Sequence, residues 1–248
     1  MLGDEPITRA YDRNAGYWIS MIRASADPYQ TQITDPALLD SIGQVTGLHI
    51  LDAGCGEGYL ARKLVDLGAA GVTGVDTCRA FIDAAIEAGT PRCQFVHADV
   101  AHLPLPDDNV DLVVVNRLPH GLTNAGLRYH EFARVLRPGG RLVIVGQHPC
   151  FYGAGAERSP AADDLTVDSY FDSRIVRQHL DVADQISPVP SVQKLYSLEQ
   201  YFGMLTTAGF VIVGLREPRP TTDQQRADPL WRTRFQRPLF LLIEAELR

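Results

Sequence analysis

Lysine is almost missing from this chain: only Lys63 and Lys194 stand among its 23 basic residues, the others being arginine. Chemistry that needs a Schiff-base amine therefore has two candidates. Cysteine is sparse as well. Cys55, Cys78, Cys93 and Cys150 show no CxxC spacing and no paired His/Cys cluster, which disfavours both a zinc site and a disulfide framework. No metal is expected. There is no basic excess either, since the formal net charge is −7. Neutralising phosphates supplies most of the affinity for nucleic acid, so no nucleic-acid partner is expected. Long apolar runs are absent too. VDLVVV (110–115) and PLFLLI (238–243) are far too short to span a bilayer, and the leading MLGDEPITRAYDR has no apolar signal core. The chain reads as cytoplasmic, without a membrane partner, and a homodimer is compatible with everything in it.

What is present suffices for a sizeable core: 45% of the 248 residues are hydrophobic and 21% charged. An aromatic-rich helical lead, YDRNAGYWISMIRASADPY, precedes Asp35-Pro36, which reads as an N-cap with proline at the first helical position; Gly43 reads as the stop. LHILD (48–52) is a short buried strand, and Leu60, Leu64 and Leu67 then recur at helical spacing. GVTGVD (71–76), QFVHAD (94–99), VDLVVVN (110–116) and RLVIVGQ (141–147) are further strands, separated by helical patterns. Strands apolar on both faces that alternate with helices predict a parallel sheet covered on each side. Residues 148–196, rich in Pro, Ser, Asp and aromatics, are too long for a connection and predict an insert, either a substrate lid or a mere decoration. Regularity returns with a helix near 197–208 and strands at FVIVGL (210–215) and PLFLLIEAEL (238–247). The segment WRTRFQR (231–237) reads as a solvated loop at a strand edge, or as a holder of an acidic substrate or RNA.

The chemistry concentrates at HILDAGCGEGYLARKL (49–64). A glycine turn after the first strand lies at the carboxyl edge of the sheet, where open α/β folds bind ligands. Gly54 and Gly56 permit close backbone approach. The nicotinamide fingerprint GxGxxG asks for a third glycine where Tyr59 stands; here it falls one residue earlier, at Gly58. Asp52 would repel a pyrophosphate and attract a ligand bearing an ammonium and a sulfonium, as S-adenosylmethionine does. Asp76, ending the second strand, is placed to accept both ribose hydroxyls. Asp99, ending the third, can accept from the adenine amino group, with the Val100 amide reading the ring. Any one such acid could be a helix N-cap; three in succession after DxGxGxG argue for the ligand.

LDAGCGEGYLARKL, GVTGVD, HADVAHLPLPDDNVDLVVVN and EFARVLRPGGRLVIVGQHP resemble the successive motifs of class I S-adenosylmethionine-dependent methyltransferases, nearest in flavour to quinone-biosynthesis and antibiotic-tailoring enzymes. The resemblance covers residues 45–150 strongly. It implies a Rossmann-like, doubly wound, seven-stranded and mostly parallel sheet with an antiparallel last strand. The whole chain, 1–248, is then one domain with an N-terminal helical cap (1–44) and an insert after strand five. It also implies cofactor roles for Asp52, Gly54, Cys55, Gly56, Asp76, Thr77, Asp99, Val100 and Asn116. Tyr11, Tyr17 and Trp18 sit where related enzymes fold a helix over the cofactor; their spacing suits core packing equally.

The resemblance does not name the acceptor. Methyl transfer from a sulfonium requires in-line alignment and exclusion of water, and a base only where a hydroxyl must lose its proton. His148, after strand five, and His120, after strand four, are the candidate bases, each with an alternative structural role; His97, inside strand three, reads as packed or hydrogen-bonded. Trp18, Tyr152, Tyr170 and Phe171 are the candidate acceptor contacts. The expectation is methyl transfer to a hydroxyl or amine of a small molecule, with a secondary metabolite suggested by the arginine-rich composition. The alternatives are a tRNA or protein methyltransferase, or a protein that binds the cofactor without transferring its methyl group.

Overall fold

Alternating apolar side chains explain how one strand feeds two cores. In the computed structural model, which describes residues 5–119, 125–151 and 170–248, β1 (His49–Ala53) sends Ile50 to one face and Leu51 and Ala53 to the other. β4 (Val110–Asn116) repeats this, with Leu112 and Val114 on the first face and Val113 and Val115 on the second. With β2 (Gly71–Asp76), β3 (Cys93–His97), β5 (Leu136–Gln147), β10 (Phe210–Arg216) and β11 (Phe240–Leu247) they form a seven-stranded sheet, ordered β10-β11-β5-β4-β1-β2-β3. The pairs β1–β2, β2–β3, β1–β4 and β4–β5 are parallel; β11 runs antiparallel to both its neighbours, β5 and β10.

Helices α2 (Asp35–Ile42) and α3 (Tyr59–Asp66) cover the first face through Leu38, Ile42, Leu60, Leu64 and Val65. On the second face lie α5 (Gly126–Val135) and α6 (Leu198–Thr207), through Tyr129, Phe132, Val135, Tyr201 and Leu205. The chain runs outward from β1 to β2 and β3, then crosses back to β4 on the other side of β1. That reversal opens a crevice at the carboxyl ends of β1 and β4.

The amino-terminal helix α1 (Glu5–Arg23) roofs this crevice, packing Tyr11, Ala15, Trp18 and Ile19 on Cys78 and on Phe81 of α4 (Arg79–Glu87). Described parts of the insert form two small ribbons: β6 (Arg174–Gln178) with β9 (Ser191–Leu195), and β7 (Asp181–Val182) with β8 (Gln185–Ile186). They clasp α1 from outside. Buried Asn14 donates to the Val189 carbonyl (2.9 Å) and accepts from its amide (3.0 Å), while the Tyr17 hydroxyl faces the carbonyls of Leu180 and Gln185.

Three local expectations need correction. Asp35 is not an N-cap: the chain before it, Gln30–Thr34, is already a π-helical turn, capped by Asp27 Oδ1 accepting from the amides of Tyr29 and Gln30. Its carboxylate is thereby released to meet the Tyr59 hydroxyl (2.9 Å) and Lys63 Nζ (3.3 Å). Asp99 lies two residues beyond the end of β3. The segment 231–237 is not a solvated loop, because α8 (Leu230–Arg234), which follows α7 (Thr222–Ala227), buries Trp231 against Tyr29 and Phe235. Among the described residues no helix is long and apolar enough to cross a membrane, and no group of three metal-ligating side chains occurs.

Candidate active site

At the end of β1 the chain turns through Gly54 and Gly56 with φ of 78° and 55°, a region costly for residues with a Cβ. A Cβ at Gly54 would stand 2.6 Å from Leu118 Cδ1, whereas at Gly56 it would meet nothing within 4 Å. One glycine is thus demanded by packing, and the other opens toward the crevice. Asp76 ties the turn to β2: Oδ2 accepts from the Gly56 amide (2.9 Å) and Oδ1 from the Cys78 amide (2.8 Å). Burial raises the Asp76 pKa, and those two amides counter it. Each oxygen still has a lone pair for a ligand.

The crevice is a cleft of about 1190 Å³, counted out into its open mouth, and every parallel strand of the sheet core contributes to it. Gly54, Cys55 and Gly56 follow β1; Asp76 and Thr77 end β2; Asp99 and Val100 follow β3; Asn116 ends β4; Gln147 ends β5. Tyr11 and Trp18 of α1 close it from above, and Leu180 of the insert reaches it. Of the residues singled out in the sequence, nine of the ten cofactor candidates, all but Asp52, come together here with Trp18.

Asp52 does not line the cleft. It is 1% exposed beneath the turn, with Oδ2 lacking a hydrogen-bond partner. Desolvation, then the nearby Asp76 charge, push its pKa to about 7, against the Ala61 amide, which favours the carboxylate.

His148 is also elsewhere. Its Nδ1 accepts from the Cys150 amide (3.2 Å), which puts the proton on Nε2, 3.3 Å from Glu217. Burial outweighs Glu217 and lowers its pKa, so the ring is a neutral brace of the His-Pro turn, stacked near Phe151. Tyr170 receives the Leu198 amide and contacts Phe171, which is 75% exposed; neither lines the cleft. The reason is that this part of the insert folds back on α6 and not over the strand ends. His97 is hydrogen-bonded, through Nε2 to the Thr77 carbonyl (2.9 Å), but exposed. His120 and Tyr152 lie outside the described residues.

Other residues of the cleft escaped notice in the sequence. Tyr59 takes up the position that lacked the dinucleotide glycine, and that was the available signal. Its hydroxyl donates to Asp35 Oδ1 and accepts from Asn116 Nδ2. Burial and the Asp35 charge raise the phenol pKa, keeping it a donor. The order of donors fixes the Asn116 amide with Nδ2 toward Tyr59 and leaves Oδ1 buried without a partner. Arg117 holds a left-handed backbone (φ 58°) and pairs with Asp27 at 2.5 Å. Arg128 of α5 and Gln30 complete the lining.

The turn, the acids at successive strand ends and the sheet order define a class. The chain carries the methyltransferase domain of the class I S-adenosylmethionine-dependent enzymes. Residues 51–144 match the family model described as a methyltransferase domain. A probable S-adenosylmethionine-dependent methyltransferase of Mycolicibacterium smegmatis is 41% identical over 98 residues, 40% of this chain and 37% of that protein. The 27-O-demethylrifamycin SV methyltransferase of Amycolatopsis mediterranei is 31% identical over 134 residues, 52% of this chain and 48% of that protein. Against these curated relatives the chain spans half their length or less. A solved S-adenosylmethionine-dependent methyltransferase from Mesorhizobium loti superposes with a TM-score of 0.70 at 28% identity, covering 85% of this chain and 96% of that one.

The family's cofactor is S-adenosylmethionine, and the cleft suits it chemically. The orphaned acceptor Asn116 Oδ1 lacks a donor, which an ammonium supplies, and Asp76 keeps acceptor capacity for a diol.

Proposed function

We propose that this protein transfers the methyl group of S-adenosylmethionine to a hydroxyl or amine of a small molecule, with secondary metabolites as the substrate class. The observation that carries this reading is the roof. α1 lies over the cleft, clasped at Asn14 and Tyr17 by the insert, and presents Ile7, Tyr11, Trp18 and Ile22 inward, opposite Leu118 and Pro119. An apolar chamber under a fastened helix suits a small molecule and obstructs a folded RNA or protein. One relative is named for a small-molecule acceptor, demethylrifamycin SV.

When bound, the cofactor supplies an electrophilic methyl group on sulfur. In this reading Asp76 holds the ribose hydroxyls, Asp99 and Val100 the adenine, and Asn116 Oδ1 the ammonium, with the Gly54–Gly56 backbone alongside. Trp18 and Tyr11 exclude water and hold the acceptor in line. An amine acceptor in neutral form needs no base. A hydroxyl acceptor needs one. His148 has both ring nitrogens engaged away from the cleft, so the candidate is His120, which follows the cleft-lining Pro119 in sequence.

The test is S-adenosylhomocysteine release measured with small phenols, alcohols and amines, beside bulk tRNA and protein. Turnover confined to tRNA or protein would reject the proposal. Tight cofactor binding with no turnover on any small acceptor would favour a protein that binds without transferring.

A further inference from the structure

Among the described residues, the cleft contains one cation without a counter-ion. Arg128, in the first turn of α5, is only 9% exposed, yet among the described residues no carboxylate lies within 4 Å of its guanidinium. Its one hydrogen-bond partner among the described residues is the Pro119 carbonyl, which accepts from Nη1 at 2.8 Å. Among the described residues Nη2 and Nε have no hydrogen-bond partner. A buried charge is costly unless paired, and a planar guanidinium with an open edge matches a carboxylate. Arg117, the other arginine among the described lining residues, pairs with Asp27.

Position decides which carboxylate. The acids of the cleft, Asp76 and Asp99, stand at the ends of β2 and β3. Gln147 stands across β4, at the end of β5, and Arg128 heads α5, which packs on β5; strands about 4.8 Å apart separate the ends of β5 and β2 by roughly 14 Å. The orphaned Asn116 Oδ1 marks the ammonium end of the cofactor between these sides. An unpaired guanidinium next to a sulfonium and an ammonium is repelled by both unless an anion lies between.

We infer that Arg128 binds a carboxylate of the methyl acceptor, so that the acceptor is a small organic acid. This rests on reading the cleft as a cofactor and acceptor site. Arg128 orients the acid group with its open edge while the apolar part of the acceptor lies against Leu118 and the α1 aromatics.

Benzoate and its neutral isostere benzamide serve as probes on protein saturated with S-adenosylhomocysteine, at constant ionic strength. The expected result is a saturable rise in Tm with benzoate and none with benzamide. Arg128→Met should lose the benzoate response, keep its S-adenosylhomocysteine Kd within about twofold, and melt no lower than wild type, since a buried uncompensated charge is gone. Arg128→Lys, which keeps the charge and the fold but loses the planar edge, should weaken benzoate about tenfold. A wild type indifferent to benzoate, or variants that respond as wild type does, would overturn the inference. So would an Arg128→Lys protein whose S-adenosylhomocysteine affinity falls tenfold or so with its benzoate response intact, because the guanidinium would then serve the cofactor's own carboxylate. Failure of wild type to bind S-adenosylhomocysteine at all would instead remove the underlying reading of the site.

Discussion

Asp52 should make the free protein lose stability as pH rises through neutrality. It is buried under the glycine turn, one carboxylate oxygen has no partner, and its pKa stands at about 7 against an ordinary 3.8. The folded state therefore holds this proton more tightly than the unfolded state does. The stabilisation is complete below the unfolded pKa and disappears as pH rises through the folded one. Three units correspond to about 4 kcal/mol in full, of which roughly 2–3 kcal/mol falls between about pH 5 and pH 8. Asp76, raised in the same direction, adds to the wild-type slope, so the informative quantity is the difference from Asp52→Asn. Urea melts across that range should show Asp52→Asn gaining on wild type by roughly 2–3 kcal/mol toward high pH. A ligand cation near the turn would drive the proton off. Calorimetry of S-adenosylmethionine binding in two buffers of different ionisation enthalpy should then report up to about half a proton more released near pH 7 from wild type than from Asp52→Asn. A pH-independent difference between the two proteins would refute this account of Asp52.

Tyr59→Phe removes the hydroxyl that joins Asp35 to Asn116 and frees the Asn116 amide to turn; cofactor Kd should rise about tenfold and stability fall by about 1–3 kcal/mol, both read by calorimetry. An unchanged Kd would show that Asn116 needs no such orientation. His148→Ala should leave turnover within about twofold while lowering stability by about 1–3 kcal/mol, because the ring braces a turn and faces Glu217; a loss of about a hundredfold in turnover would restore it as the base. Its lowered pKa further predicts that the stability difference between wild type and His148→Ala shrinks as pH falls from about 6.5 through the folded value, read in paired denaturant melts. Asn14→Ala strips the Val189 amide and carbonyl of their partner, so α1 should become susceptible to limited proteolysis before the sheet unfolds. Equal protease resistance in mutant and wild type would mean that the clasp is not what holds the roof.

Local physics made much of this molecule legible from its amino acids. The strands of the parallel sheet announce themselves because both faces are buried, and β4, VDLVVVN, has no polar face to hide. Gly54 and Gly56 mark the turn because a Cβ cannot adopt their backbone angles cheaply, and Asp76 marks a ligand edge because it ends a strand. Each of these signals lies within a few residues of the feature it encodes.

The tertiary structure decided where side chains point when two distant segments compete for them. His148 stands beside a strand end just as Asn116 stands at one, but Glu217, nearly seventy positions away, takes its Nε2 and turns it from the cleft. Asp35 looks like a cap until a π-helical turn relieves it of that task and Tyr59 and Lys63 recruit it. Arg128 sits on an ordinary amphipathic helix, and nothing nearby in sequence tells that packing leaves its charge without a counter-ion among the described residues. A sequence pattern fixes backbone periodicity because that depends on neighbours along the chain. The protonation, orientation and pairing of a polar side chain depend on neighbours in space, and for His148, Asp35 and Arg128 only the folded sheet supplies them.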